Sequence, residues 1–417
     1  MTALDDIAFP LIPRTHHVRA RPITGALVDG ALFLTIFISP LVFIEPSPYD
    51  VAIAFLTLIA IAAGLRISPQ LLPLIVLLTL WNAGGLIALL FVHDQPKTVQ
   101  FVAVSLFLAL SAVLYAALFS DDTLRRLDIL RRAYILAALV AALIGIAGYF
   151  DIPSGAGVIF AEIGRAHATF KDPNVFGPFL ILPLLLLLQS LLGDRIGWAP
   201  LAALLIILFG LFLSFSRGAW IHFALSAAVL VLLMLLTTPD IRTRRRVIVL
   251  VAAALASLAA LFTFALSFDT IGSMFEQRAR LVQDYDAGTN QGRFFLQIVA
   301  MEDILNNPWG LGPHGFGRRY GTQQHNVYLQ GFLTYGWLGG FSYLALTLLT
   351  LLHGYRAAFL ATPWQGFMIA ALAAFTGAAV EGLVIDTDHW RHYFLLLGLI
   401  WGLVIASRKI HPASPHA

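Results

Sequence analysis

His325 and Asn326 stand side by side where a polar stretch of the chain gives way to a long apolar one. An imidazole with a pKa near about 6.5 can take a proton from a hydroxyl group at neutral pH. A histidine at the point where a loop re-enters a membrane can also meet a substrate carried on a lipid. His325 is therefore the candidate general base of a membrane-embedded enzyme. The alternative is an interfacial residue that caps the apolar segment.

Three arginines lie where they could bind an anion. Arg217 occupies the sequence SFSRGAW, a break between two apolar segments so tight that its charge must stay near membrane level, which is costly unless the charge is paired. Arg293 begins an amphipathic segment, and Arg165 lies in another polar connection, GRAHATFKDPNVFG. Guanidinium groups bind phosphate oxygens through two parallel hydrogen bonds, so arginines on one surface suit a diphosphate. Interfacial anchors remain the alternative for Arg217 and Arg165, and a solvated helix start for Arg293.

Composition indicates a membrane protein. The 417 residues are 59% hydrophobic and 12% charged, and the mean hydropathy is +0.84, well outside the range of soluble domains. The apolar runs lack the two-residue alternation of a membrane β-barrel, so we expect no strands in them and an all-α integral membrane protein. We predict twelve transmembrane helices, at 26–44, 51–65, 70–92, 98–119, 133–150, 174–192, 198–214, 218–236, 247–266, 326–352, 365–385 and 391–407.

The distribution of positive charge predicts the orientation. Sixteen of the 26 Lys and Arg residues fall in alternate connections and in the tails, and five fall in the short connections on the other side. The positive-inside rule then places the N-terminal tail 1–25 and the C-terminal tail 408–417 in the cytoplasm. Residues 26–266 form spans one to nine and residues 326–407 form spans ten to twelve. The large loop between them, 267–325, faces outward, which in a bacterium means the periplasm.

Within this loop, 290–306 has apolar residues at helical spacing (Phe294, Ile298, Met301, Ile304 and Leu305) and is predicted to be an amphipathic helix along the membrane interface. Asn306–Pro308 ends it, because proline cannot continue a helix. The glycine-rich run Gly310–Gly321 is expected to be a flexible turn that leads to His325. Since it follows no strand and carries no Lys-Ser/Thr pair, we expect no nucleotide site and no nucleic-acid partner.

The spacing around His325 resembles a family signature. His325-Asn326, nine residues, Gly336, two residues and Gly339 is similar to the motif of the O-antigen ligase and polymerase superfamily. The preceding NPWGLG resembles that family's P-x-G-x-G approach to the histidine. Arg217 and Arg293 fall where the family has functional arginines, and the twelve-span layout with one large loop before span ten is also similar.

This resemblance implies a GT-C-like, metal-independent, inverting glycosyltransferase of the bacterial inner membrane that needs no cofactor. Its donor would be a glycan on undecaprenyl diphosphate, and its acceptor the lipid A core or a growing glycan. His325 would be the base, and Arg217 and Arg293 diphosphate ligands, with Arg165 an addition. Asn326, Asp386 and Asp388 would position the acceptor, although 386–389 could also be a simple turn. Two carboxylates and one histidine there are weak grounds for a metal site, and none is predicted.

Three functions remain open. A ligase would move finished polysaccharide onto the lipid A core, and a polymerase would join repeat units on the lipid carrier by the same chemistry; we favour the ligase. A glycan transporter or flippase without catalysis is the alternative from another class. Transporters commonly show internal repeats and broken helices at mid-membrane, whereas the polar groups here cluster at the outer surface and no repeat is visible.

Overall fold

The computed structural model of the protein describes residues 23–92, 97–193, 197–266 and 293–411. Within these ranges the chain is almost entirely helical. The helices are α1 (Ile23–Phe37), α2 (Pro48–Ala62), α3 (Leu72–Val92), α4 (Thr98–Ser120), α5 (Thr123–Tyr149), α6 (Ala156–Phe160), α7 (Pro173–Phe179), α8 (Ile181–Gly193), α9 (Trp198–Leu213), α10 (Arg217–Thr237), α11 (Ile241–Leu266), α12 (Arg293–Asn306), α13 (Gly315–Tyr320), α14 (Val327–Ala358), α15 (Gln365–Glu381) and α16 (Arg391–Ile410).

Every predicted span falls on one of these helices or, for 174–192, on the consecutive helices α7 and α8. In the described ranges, 7 helical segments are long and apolar enough to cross a membrane: α3 with the turn before it, α4, α5, α7 with α8, α10, α14 and α16. The apolar helices α1, α2, α9 and α15 are shorter. The protein is thus an all-α integral membrane protein, as predicted, and the number of twelve spans stays a prediction.

Helix α5 begins at Thr123, well before the predicted span start at residue 133. Its first turns contain Arg126 and Arg131, which are both buried. The Arg126 guanidinium donates to the Leu118 carbonyl at 2.7 Å, and Arg131 pairs with Asp128. Because these charges are satisfied by nearby groups, the helix can bury a segment that hydropathy alone assigns to the membrane surface.

A small β-hairpin lies in the connection between α6 and α7, outside the predicted spans. Strand β1 (Ala161–Glu162) pairs antiparallel with β2 (Arg165–Ala166), with Glu162 opposite Arg165. The connecting residues Ile163 and Gly164 have φ angles of 47° and 69°, as a two-residue hairpin turn requires. Two-residue strands are too short for an alternating pattern to indicate them.

Helix α14 is broken at Gly336, where φ is 66° and ψ is −173°, a conformation that is open essentially to glycine alone. In a regular helix the Trp337 amide would bond to the Leu333 carbonyl. Here the Trp337 amide donates to the Pro308 carbonyl at 2.8 Å, and the Leu333 carbonyl accepts from the Leu311 amide at 2.6 Å. The loop before His325 therefore satisfies both backbone groups that the break releases.

The glycine-rich segment is consequently more ordered than a flexible turn, and that prediction was wrong. It contains the short helix α13, whose Phe316 is buried against Leu296 and Ala300 of α12 and Leu333 of α14. The segment folds onto the broken helix because Gly310 and Gly312, at φ 80° and 75°, allow the close turns. A Cβ on Gly310 would lie 2.7 Å from the Gly336 amide nitrogen.

Helix α12 confirms the helix predicted over 290–306 within the residues described. Leu296 and Ala300 pack against the protein, with Ile304 partly buried beside them. The other four predicted apolar residues form an exposed stripe at helical spacing: Phe294, Ile298, Met301 and Leu305. A stripe of this kind suits the membrane interface, which stays a prediction.

We expect Gly336→Ala to lower the free energy of unfolding by about 1–3 kcal/mol, because alanine is strained at this backbone conformation. A Cβ there would also lie 2.7 Å from the Pro308 carbonyl oxygen. Thermal unfolding of the purified protein in detergent measures the effect. Gly30→Ala is the matched control, since Gly30 lies inside α1 with nothing within 4 Å of the added atom. Equal stability of the two variants would contradict the role assigned to the break.

Candidate active site

A cleft of about 480 Å³ opens where several helix ends meet, a volume suited to binding part of a substrate. Helices α7, α10, α14 and α16 begin at or beside it, and α9 and α15 end there. Its lining combines six charged or titratable side chains that the chain supplies from distant positions: Arg165, Asp172, Arg217, His325, Glu381 and Asp386. The structure thus brings together four of the residues predicted to act in catalysis or binding.

Arg217 reaches the cleft from the tight break between α9 and α10. Helix α9 ends at Leu213 and α10 begins at Arg217, with Phe215 in the left-handed region at φ 47°. The Ser216 hydroxyl accepts from the Ala219 amide at 3.3 Å and so caps α10. The start of a helix carries partial positive charge, so an anion in the cleft would be favoured both by this end and by the arginine.

Arg165 lines the same cleft from strand β2. Its Nε donates to the Ser214 carbonyl at 3.0 Å, and its Nη2 donates to Asn174 Oδ1 at 2.8 Å. Asn174 lies in the first turn of α7, which Asp172 caps by accepting from the Asn174 amide at 2.7 Å. Arg165 therefore joins the hairpin, α7 and the α9–α10 break on the side of the cleft that holds Arg217.

His325 is held at the cleft by the residues that follow it. The Val327 amide donates to the Gly382 carbonyl at 2.8 Å, which pins the start of α14 to the end of α15. Asn326 caps α14 by accepting from the Tyr328 and Leu329 amides at 3.0 and 3.2 Å, and it donates to the Leu383 carbonyl at 3.1 Å. The asparagine is buried and fixes the backbone, and it does not line the cleft. The adjacent His325, at φ 50°, presents a side chain that is 44% exposed.

Asp386 faces His325 across the cleft. Its Oδ2 lies 3.7 Å from the His325 Nδ1, longer than a hydrogen bond but close enough for a strong charge interaction with a protonated imidazole. Both side chains remain partly exposed, so a substrate can approach them. Asp386 is therefore placed where it could stabilise a proton on the imidazole, and the role of His325 as a base stays a prediction.

Asp388 does not join this group. It is buried, and its Oδ2 lies 3.2 Å from Nδ1 of His389, whose Nε2 contacts the Phe101 carbonyl oxygen at 3.1 Å. Burial by itself lowers the pKa of His389, but the Asp388 carboxylate and the Phe101 carbonyl together outweigh this effect and raise that pKa. Among the residues that the structure describes, no three His, Cys, Asp or Glu side chains could hold a metal ion. That the reaction needs no metal or cofactor stays a prediction.

Arg293 is the first residue of α12, and its side chain lies outside the described part of the structure. One turn later on the same helix, the Gln297 side chain donates to the Leu383 carbonyl at 3.3 Å. The first turn of α12 therefore lies beside the connection that carries Asp386. A role for Arg293 in binding stays a prediction.

The structure also shows a buried pair that the sequence reading missed. His222 of α10 was not singled out from the sequence as a candidate functional residue. Its Nδ1 lies 2.7 Å from Oε2 of Glu381, the last residue of α15. Both residues sit in apolar segments, and ionisable residues in such segments are functional candidates by default. That signal could have singled out the two residues, but not their contact.

The central part of the chain is similar to a known protein family. The family model described as O-antigen ligase matches residues 202–344, about a third of the chain, from α9 to the middle of α14. This interval contains Arg217, Arg293, His325 and the break at Gly336. This part of the chain is similar to the O-antigen ligase family, which supports the predicted superfamily. A comparison with curated proteins finds no match.

The similarity to the O-antigen ligase family agrees with the predicted family and with the membrane fold. The family comprises glycosyltransferase-like enzymes and implies a lipid-linked glycan substrate in a bacterial membrane. Arg165, Glu381 and Asp386 lie outside the matched interval. Only the folded chain places them in one cleft with Arg217 and His325.

Proposed function

We propose that the protein is an O-antigen ligase that moves a glycan from undecaprenyl diphosphate to a hydroxyl group of the lipid A core. The observation that supports this most strongly is a single cleft that holds a partly exposed histidine, an acid facing it and two arginines. A base for the acceptor and cations for a diphosphate are the groups that such a transfer needs.

In the proposed reaction the acceptor oxygen attacks the anomeric carbon while His325 takes its proton. The bond from that carbon to the diphosphate oxygen breaks, and the diphosphate leaves with the electron pair. Attack from the face opposite the leaving group inverts the configuration at the carbon. Arg217 and Arg165 bind the diphosphate, and Arg293 is proposed as a third ligand. Because negative charge grows on the diphosphate as it leaves, these contacts strengthen in the transition state and accelerate the reaction.

Asp386 is proposed to stabilise the imidazolium that forms on His325. We expect Asp386→Asn to lower kcat by about tenfold, because the amide keeps the shape but loses a charge near the histidine. The donor KM should change little, since the acid is proposed to act through His325. Steady-state kinetics measure both constants, and thermal unfolding shows whether the variant is folded. A rise in acceptor KM with unchanged kcat would favour the acceptor-positioning role instead.

The charge pattern supports an outward-facing site. Helices α14 and α16 begin beside the cleft and carry basic residues in their last turns: Arg356, Arg408 and Lys409. Cleft and basic ends thus lie at opposite ends of the same helices. With the positive ends in the cytoplasm, the cleft faces the periplasm and both termini are cytoplasmic, which we propose for the inner membrane.

The decisive experiment reconstitutes the purified protein in liposomes with undecaprenyl-diphosphate-linked polysaccharide and lipid A core, without ATP or an ion gradient. Polysaccharide joined to the core is the expected product. Longer lipid-linked chains, made when single repeat units are supplied, would indicate the polymerase. Movement of the donor between leaflets with no joined product would overturn catalysis in favour of a transporter.

A further inference from the structure

The hydrogen bonds of the His222–Glu381 pair indicate that the two side chains share one proton. Nε2 of His222 lies 2.8 Å from the Ala374 carbonyl oxygen, which can only accept, so this nitrogen must carry a hydrogen. The contact of 2.7 Å between Nδ1 and Glu381 Oε2 then contains one further proton, on the imidazole or on the carboxyl group. The two side chains are only 2% and 1% exposed. The pair is neutral overall in either state, which makes its burial tolerable.

Close helix packing creates this contact. A Cβ on Gly377 of α15 would lie 2.2 Å from both His222 Cδ2 and Ser226 Oγ of α10. Gly377 thus lets the two helices approach one turn before Glu381. The glycine leaves room for the imidazole between the helices.

Glu381 connects the buried pair to the cleft, which it helps to line. Its Oε1 is buried and has no hydrogen-bond partner among the residues described. A Cβ on Gly218, beside Arg217, would lie 2.9 Å from this oxygen. The carboxylate therefore lies next to the first turn of α10, where the diphosphate of the proposed reaction would bind. An ionised carboxylate at that point would repel the diphosphate.

We propose that the shared proton moves when the anionic donor binds, so that the pair adjusts the charge of the cleft. The N–H bond at His222 Nδ1 breaks and an O–H bond forms at Glu381 Oε2, leaving a neutral histidine and a neutral glutamic acid. No proton enters or leaves the protein. The shift removes the negative charge beside the diphosphate and reverses when undecaprenyl diphosphate departs. His222 and Glu381 are thus positioning residues that tune donor binding and product release, and the inference rests on the proposed function.

The proposed proton shift is tested with variants that keep a hydrogen bond between positions 222 and 381 but lack the proton that moves. In His222→Gln, the amide can still donate to Glu381 but cannot supply a proton, so a buried carboxylate remains beside the diphosphate. We expect the donor KM and the inhibition constant of undecaprenyl diphosphate to rise about tenfold at pH 8.

Glu381→Gln should act in the opposite direction. Its amide is permanently neutral, so undecaprenyl diphosphate should inhibit about threefold more strongly, and slower product release should lower kcat. The double variant, with two neutral amides, should return the His222→Gln constants towards wild type. The other charged or titratable groups near the pair are unchanged in all three variants: Arg165, Asp172, Arg217, His325, Asp386 and His392.

Opposite shifts in the two single variants separate this role from a structural one, which would weaken binding in both. Shifts in the same direction, or no shift in either, would overturn the proposal. If His222→Gln does not fold, Glu381→Gln decides alone, since weaker inhibition by undecaprenyl diphosphate would contradict the proposal. Failure of the proposed function is distinguishable, because the wild-type protein itself would then transfer no glycan.

Discussion

His325→Ala will leave the protein folded and inserted but will lower the rate of glycan transfer by about a hundredfold or more. The alanine removes the only titratable group that the proposed mechanism assigns to the acceptor hydroxyl. It should not disturb α14, because Asn326 supplies the cap and Val327 is bonded to Gly382 through the backbone. The donor KM should stay near that of wild type, since the histidine is proposed to act on the acceptor.

The measurement is the size distribution of undecaprenyl-linked glycan in cells that express the variant, together with kinetics on purified protein. Long lipid-linked polymer beside uncapped lipid A core identifies the ligase, and single repeat units identify the polymerase. His353→Ala is the matched control, because His353 lies near the far end of α14 and contacts Arg408. A normal glycan profile from well-expressed His325→Ala protein would remove the histidine from the mechanism.

Arg217→Lys should lower kcat/KM for the donor by about ten- to a hundredfold. Lysine keeps the positive charge at the start of α10. A loss of activity would therefore show that binding requires the two parallel hydrogen bonds that a guanidinium group donates to phosphate oxygens. The effect should appear in the donor constants and not in the acceptor KM. Kinetics with varied donor concentration measure it, and thermal unfolding verifies the fold.

Arg319→Lys gives the same chemical change elsewhere on the chain. Arg319 pairs with Asp303 at 2.7 Å, and its side chain is 55% exposed. It does not line the cleft, so its replacement should leave glycan transfer unchanged. Full activity of Arg217→Lys would instead assign Arg217 to anchoring the break between α9 and α10.

The helices could be predicted because a membrane demands long apolar segments with internally bonded backbones. Helices extend beyond the predicted spans where polar groups are satisfied by local partners. Arg126 and Arg131 extend α5 beyond its apolar segment, since carbonyl and carboxylate groups nearby satisfy them. Hydropathy is a sum over side chains, and it cannot register such contacts.

The site was predictable only residue by residue. His325 and Arg217 could be singled out because each is a polar group fixed at the edge of an apolar segment. The two side chains meet because of how α10, α14 and α15 pack. The spacing of residues along the chain does not predict this packing. The contact of His222 with Glu381 joins residues 159 positions apart. The acid that faces His325 was likewise selected by family resemblance, which favoured Asp386 and Asp388 alike.

The break at Gly336 has a consequence for how the molecule can move. If the loop at Pro308–Leu311 lifted away, the Leu333 carbonyl and the Trp337 amide would each lose their partner, and Leu333 is buried. An unpaired carbonyl at the buried Leu333 costs about 1–3 kcal/mol, so the opened form should be a minor population. We therefore expect the loop and the broken helix to move together. Donor and acceptor would then reach His325 without separation of this loop from α14.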